Sequence, residues 1–252
     1  MLRVDPRIAG LYAELDDYVT AYPPHAVARA EAFAVGTAFF PVGAGLWWPG
    51  TPLAERPIAL IAHVFDEASY RFALGAGEGS ERVAGNRTWA GLRRVLALAD
   101  ADIADCFLTN ALMGIKVGPA TGAVRAGICY RAQCAAYLAR QLEVVRPRLV
   151  VTLGSHALQV LRQAVPALAD AWDGFATMAA IDAASPPRHI VRGVTLSGDC
   201  VADVAVLRHP CTWTNAPRRG CSGRGLAADA EILRRARAPA ADGARDLRYG
   251  AE

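Results

Sequence analysis

Four short segments of this chain end in side chains able to do polar chemistry: Ala62-His63-Val64-Phe65-Asp66, Thr109-Asn110, Gly154-Ser155-His156 and Arg208-His209-Pro210. Histidine can give or take a hydrogen bond or a proton near neutral pH, and an asparagine amide joins a donor to an acceptor. A carboxylate can orient water. A Gly-Ser turn into a helix offers backbone N–H groups and a hydroxyl to an anion. One such terminus is commonplace, but four at one edge would make a polar pocket that a purely structural domain has little reason to build. The six cysteines, Cys106, Cys129, Cys134, Cys200, Cys211 and Cys221, include no C-x-x-C pair and no histidine at finger spacing. No metal site is read from them, and free thiols are expected.

Each polar terminus follows an apolar run: Ile58 to Phe65, Cys106 to Leu112, Leu149 to Leu153 and Val201 to Leu207. The runs are continuous rather than alternating, as in strands covered on both faces. Helical patterns lie between them at Trp89 to Leu98, Tyr130 to Val145 and His156 to Ala164. This alternation predicts an α/β protein, a three-layer α/β/α sandwich around a central, mostly parallel four-stranded sheet. In such sheets ligands bind beyond the carboxyl ends of the strands, where the polar residues stand. An N-terminal helical segment is placed within residues 5–33, opened by Asp5 as N-cap with Pro6 behind it and stopped by Pro23-Pro24. Gly75 to Gly85 reads as a flexible loop. A single domain over 1–235 with a flexible C-terminal tail over 236–252 is expected.

The composition narrows the class without naming a partner. The 252 residues are 53% hydrophobic and carry a formal net charge of +3, which fits a globular domain and neither a disordered tail nor a disulfide-dense mini-protein. Lys116 is the sole lysine among 27 basic residues. No apolar run approaches the roughly 20 residues of a membrane span, and no secretory signal is read at the start, so a cytoplasmic protein with no membrane partner is expected. No G-x-G-x-x-G follows the first strand, which argues against a dinucleotide cofactor.

In order and spacing, the strand-end motifs resemble the uracil-DNA glycosylase superfamily, over about Phe39 to Gly220. Phe107-Leu108-Thr109-Asn110-Ala111 is similar to the strand ending in the asparagine that reads uracil. Val150 to Gln159 is similar to the strand that runs into Gly-Ser before a helix, with Arg146-Pro147-Arg148 ahead of it. His209-Pro210-Cys211-Thr212-Trp213 resembles the His-Pro-Ser loop with an apolar wedge four residues after the histidine. The resemblance implies a monofunctional DNA glycosylase that flips deoxyuridine out of DNA and hydrolyses its N-glycosidic bond for base excision repair. It implies no cofactor, a monomer, and single- or double-stranded uracil-containing DNA as partner, at the nucleoid of a bacterial cell. On this reading Asn110 pairs with the uracil edge, His209 donates to uracil O2 as charge develops, and Trp213 fills the gap in the duplex. Gly154, Ser155, Arg218 and Arg219 would contact phosphates. Asn110 as a turn cap and Trp213 as a core residue remain the alternatives. No lysine ends any of the four strands, which argues against a Schiff-base lyase step. The lack of cysteine before Cys106 argues against an iron–sulfur cluster.

The first motif departs from the family. Val64 stands where a water-holding carboxylate is common, and valine cannot hold that water. Two accounts of Asp66 stand side by side: it orients water or the developing sugar cation with His63 assisting, or it caps the next turn while catalysis rests on His209. Phe65 replaces a tyrosine that excludes the thymine methyl, and Phe65, Phe72 and Trp89 are all candidates to stack on the base. The departure also raises an alternative function, a weakened relative that binds uracil or abasic DNA without turnover.

Overall fold

A computed structural model describes residues 5–31, 38–46, 53, 57–76, 87–118, 124, 126–210 and 216–239. In chain order its elements are α1 (Pro6–Tyr18), β1 (Val27–Ala28), β2 (Ile58–Ala62), β3 (Phe65–Asp66), α2 (Glu67–Ala76), α3 (Arg87–Leu98), β4 (Cys106–Asn110), β5 (Ile115–Lys116), α4 (Ile128–Val145), β6 (Leu149–Leu153), α5 (Ser155–Ala164), α6 (Met178–Ala183), β7 (Ile190–Ser197), β8 (Cys200–Leu207) and α7 (Leu226–Arg237). The helix at the amino end starts as its sequence signal predicts, the Asp5 side chain accepting the Arg7 N–H with Pro6 in the first turn. It is shorter than the helical segment read over 5–33, ending at Tyr18, and Val27–Ala28 pairs as a strand with β5.

The central sheet has the order β4-β2-β6-β8-β7. Strands β2, β4, β6 and β8 are mutually parallel, as their continuous apolar runs predict. The four-stranded expectation is corrected by β7, an antiparallel edge strand on β8 whose ladder is interrupted between Val191 and Val194. Arg192 and Gly193 break its apolar pattern, which hid it from a search for buried runs. A second correction concerns the first run. It leaves the central sheet at Ala62, and Phe65–Asp66 joins a separate three-stranded sheet of order β1-β5-β3.

The pleat explains the continuous hydrophobicity. Ala59 and Ile61 of β2 face the apolar cluster under α1, α4 and α5, with Leu138, Leu142, Leu158 and Leu161. Their neighbours Ile58, Leu60 and Ala62 face the cluster under α3 and α7, with Leu92, Val95, Ile232 and Leu233. Successive side chains point to opposite faces, so covering both faces requires an apolar residue at every position and a three-layer α/β/α stack. Helix α7 continues through Arg237 with Ala236 buried, so the tail read from residue 236 begins too early. Residues 240–252 lie outside the described ones, as do 77–85 of the loop read over Gly75 to Gly85. Among the described residues no helix is long and apolar enough to cross a membrane.

The free edge of β4 is covered by residues 38–46. Phe40 donates its N–H to Leu108 O at 3.0 Å and accepts from the Asn110 N–H at 3.2 Å, while Leu108 donates to Gly45 O at 2.7 Å. Gly45 has φ +65°, and a Cβ there would lie 2.4 Å from Leu108 O and 2.9 Å from the Phe107 ring. Gly118 has φ +86° with nothing within 4 Å of its would-be Cβ. Only the backbone penalty applies at Gly118, whereas a clash adds to it at Gly45. Gly118→Ala is expected to cost about 1 kcal/mol and Gly45→Ala roughly 3 kcal/mol or more. Denaturant titration measures both, and equal losses would mean that this segment does not pack on β4 as described.

Candidate functional site

Parallel register decides which side chains can meet. Ala62 lies opposite Asn110, Ile61 opposite Thr152, and Leu153 opposite Leu207. His63, Asn110, Gly154 and Arg208-His209 therefore leave the sheet at one edge. Beyond β4 the chain zips onto the end of β2, Ala111 donating to Ala62 O at 2.8 Å and Leu112 to His63 O at 2.9 Å. Gly154 turns at φ +92°, and a Cβ built there would lie 3.4 Å from the His209 Cβ, so the turn after β6 and the segment after β8 are adjacent. His63 and His156 stack with ring centroids 4.8 Å apart and a 31° tilt.

Asn110 is held from behind. Its Nδ2 donates to the same Phe40 carbonyl that takes its backbone N–H, at 3.2 Å, which fixes the amide plane and leaves a second Nδ2 hydrogen beside the acceptor oxygen. One residue earlier, Thr109 donates its hydroxyl to buried Gln141 at 2.6 Å, and Gln141 donates on to Met113 Sδ and Tyr137 O, each at 3.4 Å. An internal polar relay thus locks the end of β4 from the α4 side.

Electrostatics at this edge favours neutral imidazoles. Burial first, then the neighbouring His156 and His209, then Lys116, push the His63 pKa down to about 4. Burial, followed by His156, also lowers that of His209. At neutral pH each imidazole carries a single N–H, its other ring nitrogen unprotonated. Lys116 is itself buried, on β5 opposite Asp66 in the ladder. Sequence reasoning missed Lys116, although its being the sole lysine was a signal. It also gave no role to His156, although this residue directly follows Gly154-Ser155. Among the described residues no group of His, Cys, Asp or Glu is arranged to hold a metal ion.

Other candidates are placed differently. Asp66 gives both carboxylate oxygens to Ser69, accepting its N–H at 2.9 Å and its hydroxyl at 2.7 Å, and so caps the start of α2. Val64 packs against the core. Trp89 is a core residue, 3% exposed and edge-on to Phe39 with centroids 5.2 Å apart, which corrects its reading as a base-stacking ring. Phe65 packs in the same cluster and Phe72 is half exposed on α2. Arg218 is also corrected. It is buried, with Nε on Asp182 at 2.7 Å and Nη1 on Asp229, and cannot reach a phosphate. Arg219 lies on the surface and donates to Ala183 O at 3.0 Å. Ser155 begins α5 with Gly154 as its N-cap, but the Gly154 N–H is taken by Leu207 O at 2.7 Å. Trp213 lies outside the described residues.

The lowered His63 pKa carries a stability signature. The folded state resists a proton that the unfolded chain binds below about pH 6.5, so stability falls as the pH drops from about 6.5 toward 4 and the loss levels off below that. His63→Gln should remove roughly 2–3 kcal/mol of this acid-side loss. Melting curves between pH 7 and 4 test it, and parallel profiles for the variant and the wild type would refute it.

Comparison with known proteins agrees with the geometry. No curated protein matches the chain. A family model described as the uracil DNA glycosylase superfamily matches residues 66–224, a span that contains Asn110, the Gly154-Ser155 turn and His209 and starts just after the divergent His63-Val64. With well over half of its length matched and the corresponding strand ends gathered at one sheet edge, the chain belongs to the uracil DNA glycosylase superfamily.

Proposed function

We propose that this protein is a monofunctional uracil-DNA glycosylase, which extrudes deoxyuridine from DNA and hydrolyses the bond between base and sugar. The reading rests on one observation: an anchored Asn110 and two half-buried, neutral imidazoles, His63 and His209, converge at the carboxyl edge of the sheet beside the Gly154 turn. A flipped base must be recognised by its Watson–Crick edge in a closed pocket. Asn110 Oδ1 accepts from uracil N3–H, and the second Nδ2 hydrogen goes to O4. The C1′–N1 bond breaks with its electron pair leaving on the base, and the His209 N–H donates to O2, where that charge collects. Water then adds to C1′.

The water's partner differs from the one the first motif suggested. With Asp66 engaged by Ser69, the bare nitrogen of neutral His63 is the acceptor we assign to the attacking water. A second reading, binding without turnover, draws on the same facts, because neither Val64 nor the capping Asp66 offers a carboxylate dedicated to that water.

Oligonucleotides carrying a single uracil, incubated with the protein at low salt and then cleaved with alkali, separate the readings. Low salt matters because phosphate contacts weaken steeply with added ions. Strand cleavage with uracil and none with thymine is expected. Shifted but uncut DNA would establish the binding reading, and neither outcome would remove both. In single-turnover assays His209→Ala should slow base release by on the order of 10²–10³-fold and His63→Gln by on the order of 10²-fold. Asp66→Asn should stay near the wild-type rate; a loss there as large as for His63→Gln would return the water to Asp66.

A further inference from the structure

Residues 208–210 follow β8 and residues 216–218 precede α7, and a buried ionic cluster grips these two stems on either side of 211–215. On the outgoing stem the Arg208 N–H bonds Asp229 at 3.2 Å. The Arg208 guanidinium then reaches across to the returning stem, donating to Ala216 O at 3.1 Å and Pro217 O at 3.2 Å, and to Asp182 of α6 at 2.6 Å. On the returning stem Arg218 donates through Nε to Asp182 at 2.7 Å, and through Nη1 to Asp229 of α7 and to Val206 O at 3.1 Å. His189 completes the cluster, its Nε2 3.0 Å from the Asp182 carboxylate. Among the described residues Asp182 alone holds both arginines by their side chains and the histidine as well.

Burying two arginines with two aspartates is a poor way to gain stability, since desolvation offsets most of the attraction, and such clusters are better explained by the geometry they impose. Here the bonds tie Arg208, directly before His209, to Ala216 and Pro217 of the second stem. We propose that Asp182 is a positioning residue for His209: by clamping Arg208 and Arg218 together it fixes the stems of the 209–217 segment and so the aim of the His209 imidazole. Asp182 touches no base or sugar; its carboxylate is turned inward to the two guanidinium groups. The proposal rests on the catalytic role given to His209 above, and its test includes a readout independent of activity.

That readout is amide hydrogen exchange of peptides covering 208–218, compared with peptides from β6 and α5. In Asp182→Asn, which keeps the shape and removes the charge, exchange over 208–218 should quicken by on the order of tenfold while β6 and α5 stay protected. Single-turnover uracil release should fall by on the order of 10–100-fold, as a small misplacement of a reacting group does, with affinity for uracil-containing DNA close to wild type. Arg208→Lys, which keeps the charge but cannot span Asp182 and two carbonyls, should act in the same direction, and it decides the question if Asp182→Asn does not fold. Unchanged exchange over 208–218, or a rise spread equally over β6 and α5, overturns the clamp. If the wild-type protein releases no uracil, the glycosylase reading fails while exchange still decides the clamp.

Discussion

Parallel alignment of β2, β4, β6 and β8 is the constraint from which the rest of this molecule follows. Because these strands run in one direction in near-level register, every connection must cross back over a face, and both faces become apolar under helices. Over the length where these four strands pair, polar side chains then fall close to the ends, at Thr109, Asn110 and Thr152 near the carboxyl edge and at Asp203 opposite the start of β6. The carboxyl edge receives three histidines and an asparagine from four different stretches of chain. The depressed proton affinity of His63 and His209 is a direct consequence: imidazoles gathered at the rim of a dry sheet, beside one another and beside a buried lysine, are cheaper to keep neutral than to charge.

Neutral imidazoles and an amide act only if they are aimed, and each is tied to backbone rather than to another mobile side chain. Asn110 is held through the Phe40 carbonyl, on a strand whose preceding residue is locked to Gln141. The His63 carbonyl receives Leu112. His209 follows an arginine bonded to carbonyls of the returning stem. Pre-positioning of this kind matters most for groups that meet charge in a transition state, since no reorganisation is then needed when the charge appears. It also explains how the edge can lack a dedicated carboxylate at Val64 and still present a coherent polar surface.

Much of this was legible in the sequence because buried parallel strands write themselves as unbroken apolar runs, and the residues that end those runs are the residues of the edge. His63, Asn110, Gly154 and His209 were found in this way. What stayed hidden depends on information that periodicity lacks. The β7 strand is interrupted by Arg192-Gly193 and exposed on one side, so it shows no run. Asp66 sits two residues beyond Val64, where an extended chain would have brought it back to the same side; the chain instead leaves the central sheet at Ala62 and starts a helix at Glu67, directly after Asp66. Trp89 and Phe65 read equally well as site walls or core plugs, and only packing against Phe39 and its neighbours separates the two.

Arginine was the most misleading letter. Near-total preference for arginine over lysine invites a phosphate-binding interpretation, yet several of the described guanidinium groups bond main-chain carbonyls at the ends of elements. Arg192 reaches Ala236 O and Ala238 O, Arg237 reaches Ala99 O, Arg235 reaches Gly220 O and Arg188 reaches Ala171 O. A planar fork of five donors suits that task as well as it suits phosphate, because orphan carbonyls accumulate where helices and strands stop. Arg218 is the extreme case, drawn wholly inside to face Asp182 and Asp229. Net charge therefore says little about how such a chain would meet DNA. A guanidinium fixed to a carbonyl keeps its charge, but its direction is set by the fold, and the phosphate-facing part of the surface has to be located by geometry at the strand ends rather than by counting basic residues.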